Sequence, residues 1–154
     1  MSPETSGPVS AFISRSAEET IRWGRELAGR LQPPVLVLLS GELGAGKTTL
    51  AKGIISGLGA GREEDVTSPT FTLVHVFRSV ASGVKAYHVD LYRVADRHDL
   101  ETLGLEDVFA EPAVVLVEWP ERLKMRTDWP ALRIHLEHLE DGSRRIEVHA
   151  PAAM

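Results

Sequence analysis

Eight residues constrain this chain more than any others: Gly41-Glu42-Leu43-Gly44-Ala45-Gly46-Lys47-Thr48. They fit the pattern G-x-x-x-x-G-K-[ST]. They also sit where that pattern needs to sit, after the apolar run Val35 to Leu39 and before a helical pattern from Thr48 to Gly57. Glycines at 41, 44 and 46 let the backbone curl and turn its amide hydrogens toward phosphate oxygens, and the helix that follows adds the positive end of its dipole. In such a loop Lys47 reaches the β- and γ-phosphates of a nucleotide, the Thr48 hydroxyl ligates Mg2+, and Thr49 follows in the first turn. The chain is thereby committed to an α/β arrangement in which a buried strand feeds a helix.

The remaining pattern fits that arrangement. Ser16-Ala-Glu-Glu19 has the form of a capping box, and Ala17, Ile21, Gly24, Ala28 and Leu31 follow at helical spacing up to Pro33-Pro34. Phe71 to Phe77 and Lys85 to Val89 read as strands. Asp96 to Phe109 reads as a helix with a possible break at Gly104. Ala113 to Val117 is a second uninterrupted apolar run, the form of a strand covered on both faces. Leu132, Ile134 and Leu136 alternate with polar residues, and an Asp141-Gly142 turn separates them from Ile146 and Val148, which predicts a closing antiparallel hairpin. The expected fold is a three-layer, P-loop NTPase-like α/β domain with a mixed central sheet and a C-terminal hairpin. It spans residues 13–150 behind a loose Ser/Pro/Gly-rich lead-in over residues 1–12.

Two acidic residues follow strands and answer the needs of a phosphate loop. Glu118 closes the second apolar run, the form of a Walker B element, and Asp90 closes Lys85 to Val89. In an open α/β sheet both strand ends face the crevice where ligands bind. Lys47, Asp90 and Glu118 are thus the candidate catalytic residues, with Thr48 and Glu118 the candidate metal ligands. Thr67-Ser68-Pro69-Thr70 is a candidate nucleotide-sensing loop or an ordinary Ser-Pro turn. The six histidines show no metal-ligand spacing, and Trp23 and Trp129 read as packing residues.

Composition narrows the rest. A chain of 154 residues is one domain, and the absence of cysteine removes disulfide scaffolds, thiol nucleophiles and thiolate zinc sites together. A net charge of -5 argues against gripping nucleic acid by overall charge. No apolar run approaches the ~20 residues of a membrane span, and the N-terminus has neither the basic start nor the apolar core of a signal peptide. A cytoplasmic location with no membrane partner is the expectation.

Four segments in order then make the chain recognisable: Gly-Glu-Leu-Gly-Ala-Gly-Lys-Thr-Thr at 41–49, Ser-Pro-Thr-Phe-Thr-Leu-Val at 68–74, His-Val-Asp-Leu-Tyr-Arg at 88–93 and Glu-Trp-Pro-Glu at 118–121. Together they resemble the bacterial TsaE (YjeE) family over roughly residues 12 to 149. Members of that family are small ATPases that act in making threonylcarbamoyladenosine in tRNA, alongside the TsaB–TsaD complex. The resemblance implies ATP and Mg2+ as ligands, with tRNA met only through the partner complex. It implies magnesium-associated roles for Thr48 and Glu118 and a required aspartate at Asp90. Trp119 matches the tryptophan of the family's Glu-Trp-Pro motif, and Ser68 to Thr70 match a switch-like loop. Ser16 and Ala17 match a segment near the adenine, and Arg145 matches a basic position of the last hairpin. His75 stands where many relatives carry an acid.

Two other readings stay open on the residues. A small-molecule kinase needs an acceptor site and a lid carrying arginines, for which Arg93 and Arg97 are the available side chains. A non-catalytic module, docking under ATP control, would leave Asp90 and Glu118 without a task. A GTPase lacks its NKxD signature here.

Overall fold

The structure, a computed structural model, describes residues 9–42, 44–66, 74–91, 104–122 and 127–151. Seven strands form one mixed sheet: β1 (Val9–Ser14), β2 (Val35–Ser40), β3 (Val74–Arg78), β4 (Lys85–Asp90), β5 (Val114–Glu118), β6 (Ala131–His138) and β7 (Arg144–His149), in the order β1-β7-β6-β2-β5-β4-β3. The helices are α1 (Ala17–Ala28), α2 (Lys47–Gly57) and the short α3 (Leu105–Val108).

Pairing directions decide where the site lies. β2 runs parallel to β5 and β6, and β4 parallel to β5, whereas β7 is antiparallel to both β1 and β6, and β3 to β4. β1, β6, β2, β5 and β4 therefore point one way. Their C-terminal ends bring Ser14, the loop after β2, Asp90, Glu118 and the β6–β7 turn to one edge of the sheet. That edge is where open α/β sheets bind ligands.

The two apolar runs become the central strands because every residue in them has a core to enter. Val35, Val37 and Leu39 of β2, with Val114 and Leu116 of β5, pack beneath α1 and α2. Leu36, Leu38, Val115 and Val117 face the opposite way, toward Leu105, Val108, Phe109 and Trp129. The three-layer expectation and the closing hairpin hold. Trp23 stacks on Phe12 with centroids 4.8 Å apart, and Trp129 meets Phe109 at 5.0 Å, so both are packing residues.

Some boundaries differ from the sequence reading. The lead-in was expected to reach residue 12, but Val9–Ser14 is strand β1, held in register against β7 from Val9↔His149 to Ser14↔Arg144. Its residues are mostly exposed, so apolar periodicity gave no signal, and the strand exists because β7 offers it an edge. The buried stripe of α1 is also rotated: Thr20, Gly24, Leu27 and Ala28 face inward, while Ala17 is exposed. Ser16 caps α1 as expected, accepting from Glu19 N at 3.1 Å, but the reciprocal bond comes from Arg15 N, 2.6 Å from Glu19 Oε2. α1 and α2 approach so closely that a Cβ on Gly53 would strike the Ile21 carbonyl oxygen, and one on Gly57 would lie 2.7 Å from Arg25 Cα. Gly57, where the helical pattern was read to end, is the last residue of α2 and a contact with α1. The first part of the strand predicted from Phe71, most of the helix predicted from Asp96, and Arg93 and Arg97 lie outside the described residues.

Candidate active site

The glycine-rich loop adopts backbone that glycine alone takes without strain. Gly41, Gly44 and Gly46 have φ of 143°, 80° and 104°. A Cβ on Gly41 would also collide with the Leu136 carbonyl oxygen of β6. Gly46 caps α2 with no side-chain hydrogen bond, so the first-turn amides of the helix are not claimed by a capping side chain. Glu42 O accepts from Ala45 N at 3.0 Å, and Gly46 O accepts from Leu50 N at 2.9 Å. Leu43, Ser68, Pro69 and Thr70 lie outside the described residues.

Lys47 and Thr48 open α2 and meet the acidic strand ends. Thr48 Oγ1 donates to Glu118 Oε2 at 3.1 Å. Asp90 pairs in register with Glu118 across β4 and β5, and the two are only 5% and 3% exposed. Lys47 is 4% exposed, and its ammonium donates to Gly41 O. Burial pushes its pKa below the usual lysine range, against the opposing pull of Glu118, Asp90 and Glu121. Trp119, at φ 61°, occupies left-handed backbone that is rare for a bulky residue, and its ring lies 3.8 Å from Lys47 Nζ. Left-handed backbone in a non-glycine residue is found disproportionately at functional sites.

A pocket beside the loop is lined by Ser14, Ser16, Ala17, Thr20, Thr49 and Arg144, and closed by Gly46 and Gly142. Of the predicted nucleotide residues, Ser16, Ala17, Gly46 and Thr49 meet here. Arg145 does not. It sits one residue along β7 from Arg144, on the opposite face by strand alternation, and donates to Glu147 Oε2 at 2.6 Å. Arg144 is the hairpin arginine that faces the loop, with Nε 3.8 Å from where a Gly46 Cβ would stand.

With this geometry in place, comparison with known proteins identifies it. The family model for Threonylcarbamoyl adenosine biosynthesis protein TsaE matches residues 14–146. The chain belongs to the TsaE family. It is 38% identical to the tRNA threonylcarbamoyladenosine biosynthesis protein TsaE of Treponema pallidum, across 88% of this chain and 97% of that one. Against the TsaE of Mycobacterium bovis the identity is 40%, covering 91% and 85%. The crystal structure of Bacillus subtilis YdiB superposes with a TM-score of 0.71 at 28% identity, covering 96% of this chain and 88% of that one.

Beside the loop and the acidic strand ends, the structure brings in four residues that sequence reasoning did not single out. Ser14 lay just past the presumed lead-in, and its hydroxyl is 2.6 Å from that of Thr20. Thr20 sat outside the predicted stripe. Arg144 was passed over for its neighbour. His88 is fully buried with Nε2 2.5 Å from Glu118 Oε2, although it read as one of six unremarkable histidines. The available signals were its place at the start of the His-Val-Asp-Leu-Tyr-Arg segment and its position two residues before Asp90, which puts both on the same face of β4.

Proposed function

We propose that this chain is a Mg2+-dependent P-loop ATPase that supports threonylcarbamoyladenosine modification of tRNA in the cytoplasm. It acts with the TsaB–TsaD complex and sustains that complex's turnover. The observation that carries the reading is the meeting of Thr48 with Glu118 at 3.1 Å, beside Asp90 and at the start of the helix that Lys47 opens.

Thr48 and Glu118 would hold Mg2+, which when bound would supply charge neutralisation for the phosphates. The donors present suit it. Mg2+ is usually held by one or two carboxylates plus substrate phosphates rather than by an all-protein cage. Thr48 and Glu118 supply a hydroxyl and a carboxylate at the glycine-rich loop. Lys47 holds the terminal phosphates. Asp90, buried on the neighbouring strand, orients the attacking water or accepts its proton. Ser16, Ala17, Thr49 and Arg144 receive the nucleoside end of ATP in the adjoining pocket. The relatives' names point to tRNA threonylcarbamoyladenosine biosynthesis. The acidic charge suits a protein that leaves tRNA binding to its partners. No helix among the described residues is long and apolar enough to cross a membrane.

The deciding experiment measures phosphate release from Mg-ATP by the protein alone and with TsaB–TsaD and tRNA, using Lys47→Ala as control. Release that rises with the partners and vanishes in the variant supports a partner-coupled ATPase. Nucleotide binding without release under any condition replaces it with an ATP-controlled docking module.

A further inference from the structure

We propose that His88 is a positioning residue that fixes the Glu118 carboxylate for the nucleotide-bound metal. The inference rests on the ATPase reading above and adds to it a residue outside the phosphate loop and the acidic pair.

Two donors converge on one oxygen. His88 Nε2 lies 2.5 Å from Glu118 Oε2, and Thr48 Oγ1 lies 3.1 Å from the same atom. Glu118 Oε1 is reached among the described residues only by Thr48, at 3.4 Å. Oε2 therefore carries both of the closer contacts, while Oε1 meets only the longer one from Thr48 among the described residues. An ionised carboxylate only accepts, so the proposed role requires the imidazole hydrogen on Nε2. The other ring nitrogen agrees. Nδ1 is buried with no partner among the described residues, and a bare lone pair there is tolerated better than an orphaned N–H.

The ring itself has no freedom to stray. His88 is 0% exposed in the middle of β4, between β5 and β3, and the His75 ring meets it edge-on at 6.4 Å. Glu118 by contrast has three side-chain torsions, and a ligand held by one flexible arm loses affinity to the ordering it must undergo on binding. Hydrogen-bond partners behind metal ligands typically contribute 10–100-fold to metal affinity. A histidine that merely filled the core would contribute to stability without distinguishing metal-bound from metal-free nucleotide.

The test is the affinity of the full chain for the fluorescent analogue mant-ATP, with Mg2+ and with EDTA, in wild type, His88→Leu and His88→Gln. We expect all three to bind within about 2-fold of one another in EDTA. With Mg2+, His88→Leu is expected to lose about 10-fold or more relative to wild type. The glutamine variant, whose amide N–H can still reach Glu118, is expected to recover most of that loss. Wild-type-like Mg2+ dependence in His88→Leu would overturn the inference, as would equal losses with and without Mg2+ in both variants. A wild type that shows no nucleotide binding, or none that responds to Mg2+, would overturn the ATPase reading itself. If His88→Leu does not fold, 15N spectra of the wild-type imidazole decide. A hydrogen on Nε2 that shifts when Mg2+ and nucleotide are added supports the role, and a hydrogen on Nδ1 rejects it.

Discussion

The ammonium of Lys47 lies 3.8 Å from the centroid of the Trp119 ring and donates to the Gly41 carbonyl. The Lys47 cation is thus held by an aromatic face and by its own loop. Phosphate binding must exchange these contacts for charge-assisted ones, which are stronger than a cation–π contact. Trp119 emission, measured with Trp23 and Trp129 replaced by phenylalanine, should therefore change when Mg-ATP is added. Lys47→Ala should abolish the change. An unaltered spectrum in the presence of bound nucleotide would mean that the ring keeps its seat on the lysine.

The two hairpin arginines make opposite predictions. Arg144 lines the pocket beside Gly46, whereas Arg145 is engaged by Glu147. Loss of a charged hydrogen bond to nucleotide costs about 1.5–3 kcal/mol, so Arg144→Ala should weaken mant-ATP binding by roughly 10-fold or more. Arg145→Ala should leave it within about 2-fold. The reverse order would restore the assignment drawn from the family resemblance.

Asp90 and Lys47 should separate by kinetic signature. On the proposed reading Lys47→Ala removes a phosphate ligand and is expected to impair binding. Asp90→Asn keeps shape and burial while removing the charge. Removal of a general base or water-orienting group costs about 10²–10⁴-fold in rate, so phosphate release should fall by that order while nucleotide affinity stays within a few-fold. Single-turnover release, alongside equilibrium binding, measures both.

The α1–α2 crossing is set by glycine. Gly53→Ala would gain about 1 kcal/mol of helix propensity at an interior position, yet its methyl group strikes the backbone of Ile21. Overpacking against an unyielding neighbour costs about 1–3 kcal/mol or more. We expect net destabilisation, seen as a lower urea midpoint at unchanged m-value. A stabilised variant would show that the helices can separate without loss.

His75 should contribute to acid sensitivity. Burial pushes its pKa below 6.5, and the neighbouring His88 adds in the same direction. Above that value the ring is neutral in both folded and unfolded chains, and its stability contribution is complete. As pH falls, the unfolded chain takes up the proton first, so that contribution is lost as pH drops through the folded-state pKa. His75→Phe should therefore lose less stability than wild type between pH 7.5 and pH 5.5 in urea titrations.

What was legible in the sequence was what short-range physics controls. The glycines at 41, 44 and 46 demand unusual backbone wherever they fold, and Val35 to Leu39 and Ala113 to Val117 are too apolar to be anything but covered strands. The Ser16 cap and the Asp141-Gly142 turn are set within a few residues. These local rules were enough to place Lys47 and Thr48 after a glycine-rich turn and Asp90 and Glu118 at strand ends. They could not show that β1 would add itself to the edge of β7, since an exposed edge strand carries no apolar pattern of its own. Nor could they choose between Arg144 and Arg145, because alternation fixes that the two face apart but not which face meets the loop. The convergence of Thr48 and His88 on one oxygen of Glu118 depends on the parallel pairing of β4 with β5, and on α2 starting beside the end of β5. Those contacts join residues 30 and 70 positions apart in the chain. Their geometry comes from strand order and register, which the burial of the whole core selects and no local propensity encodes.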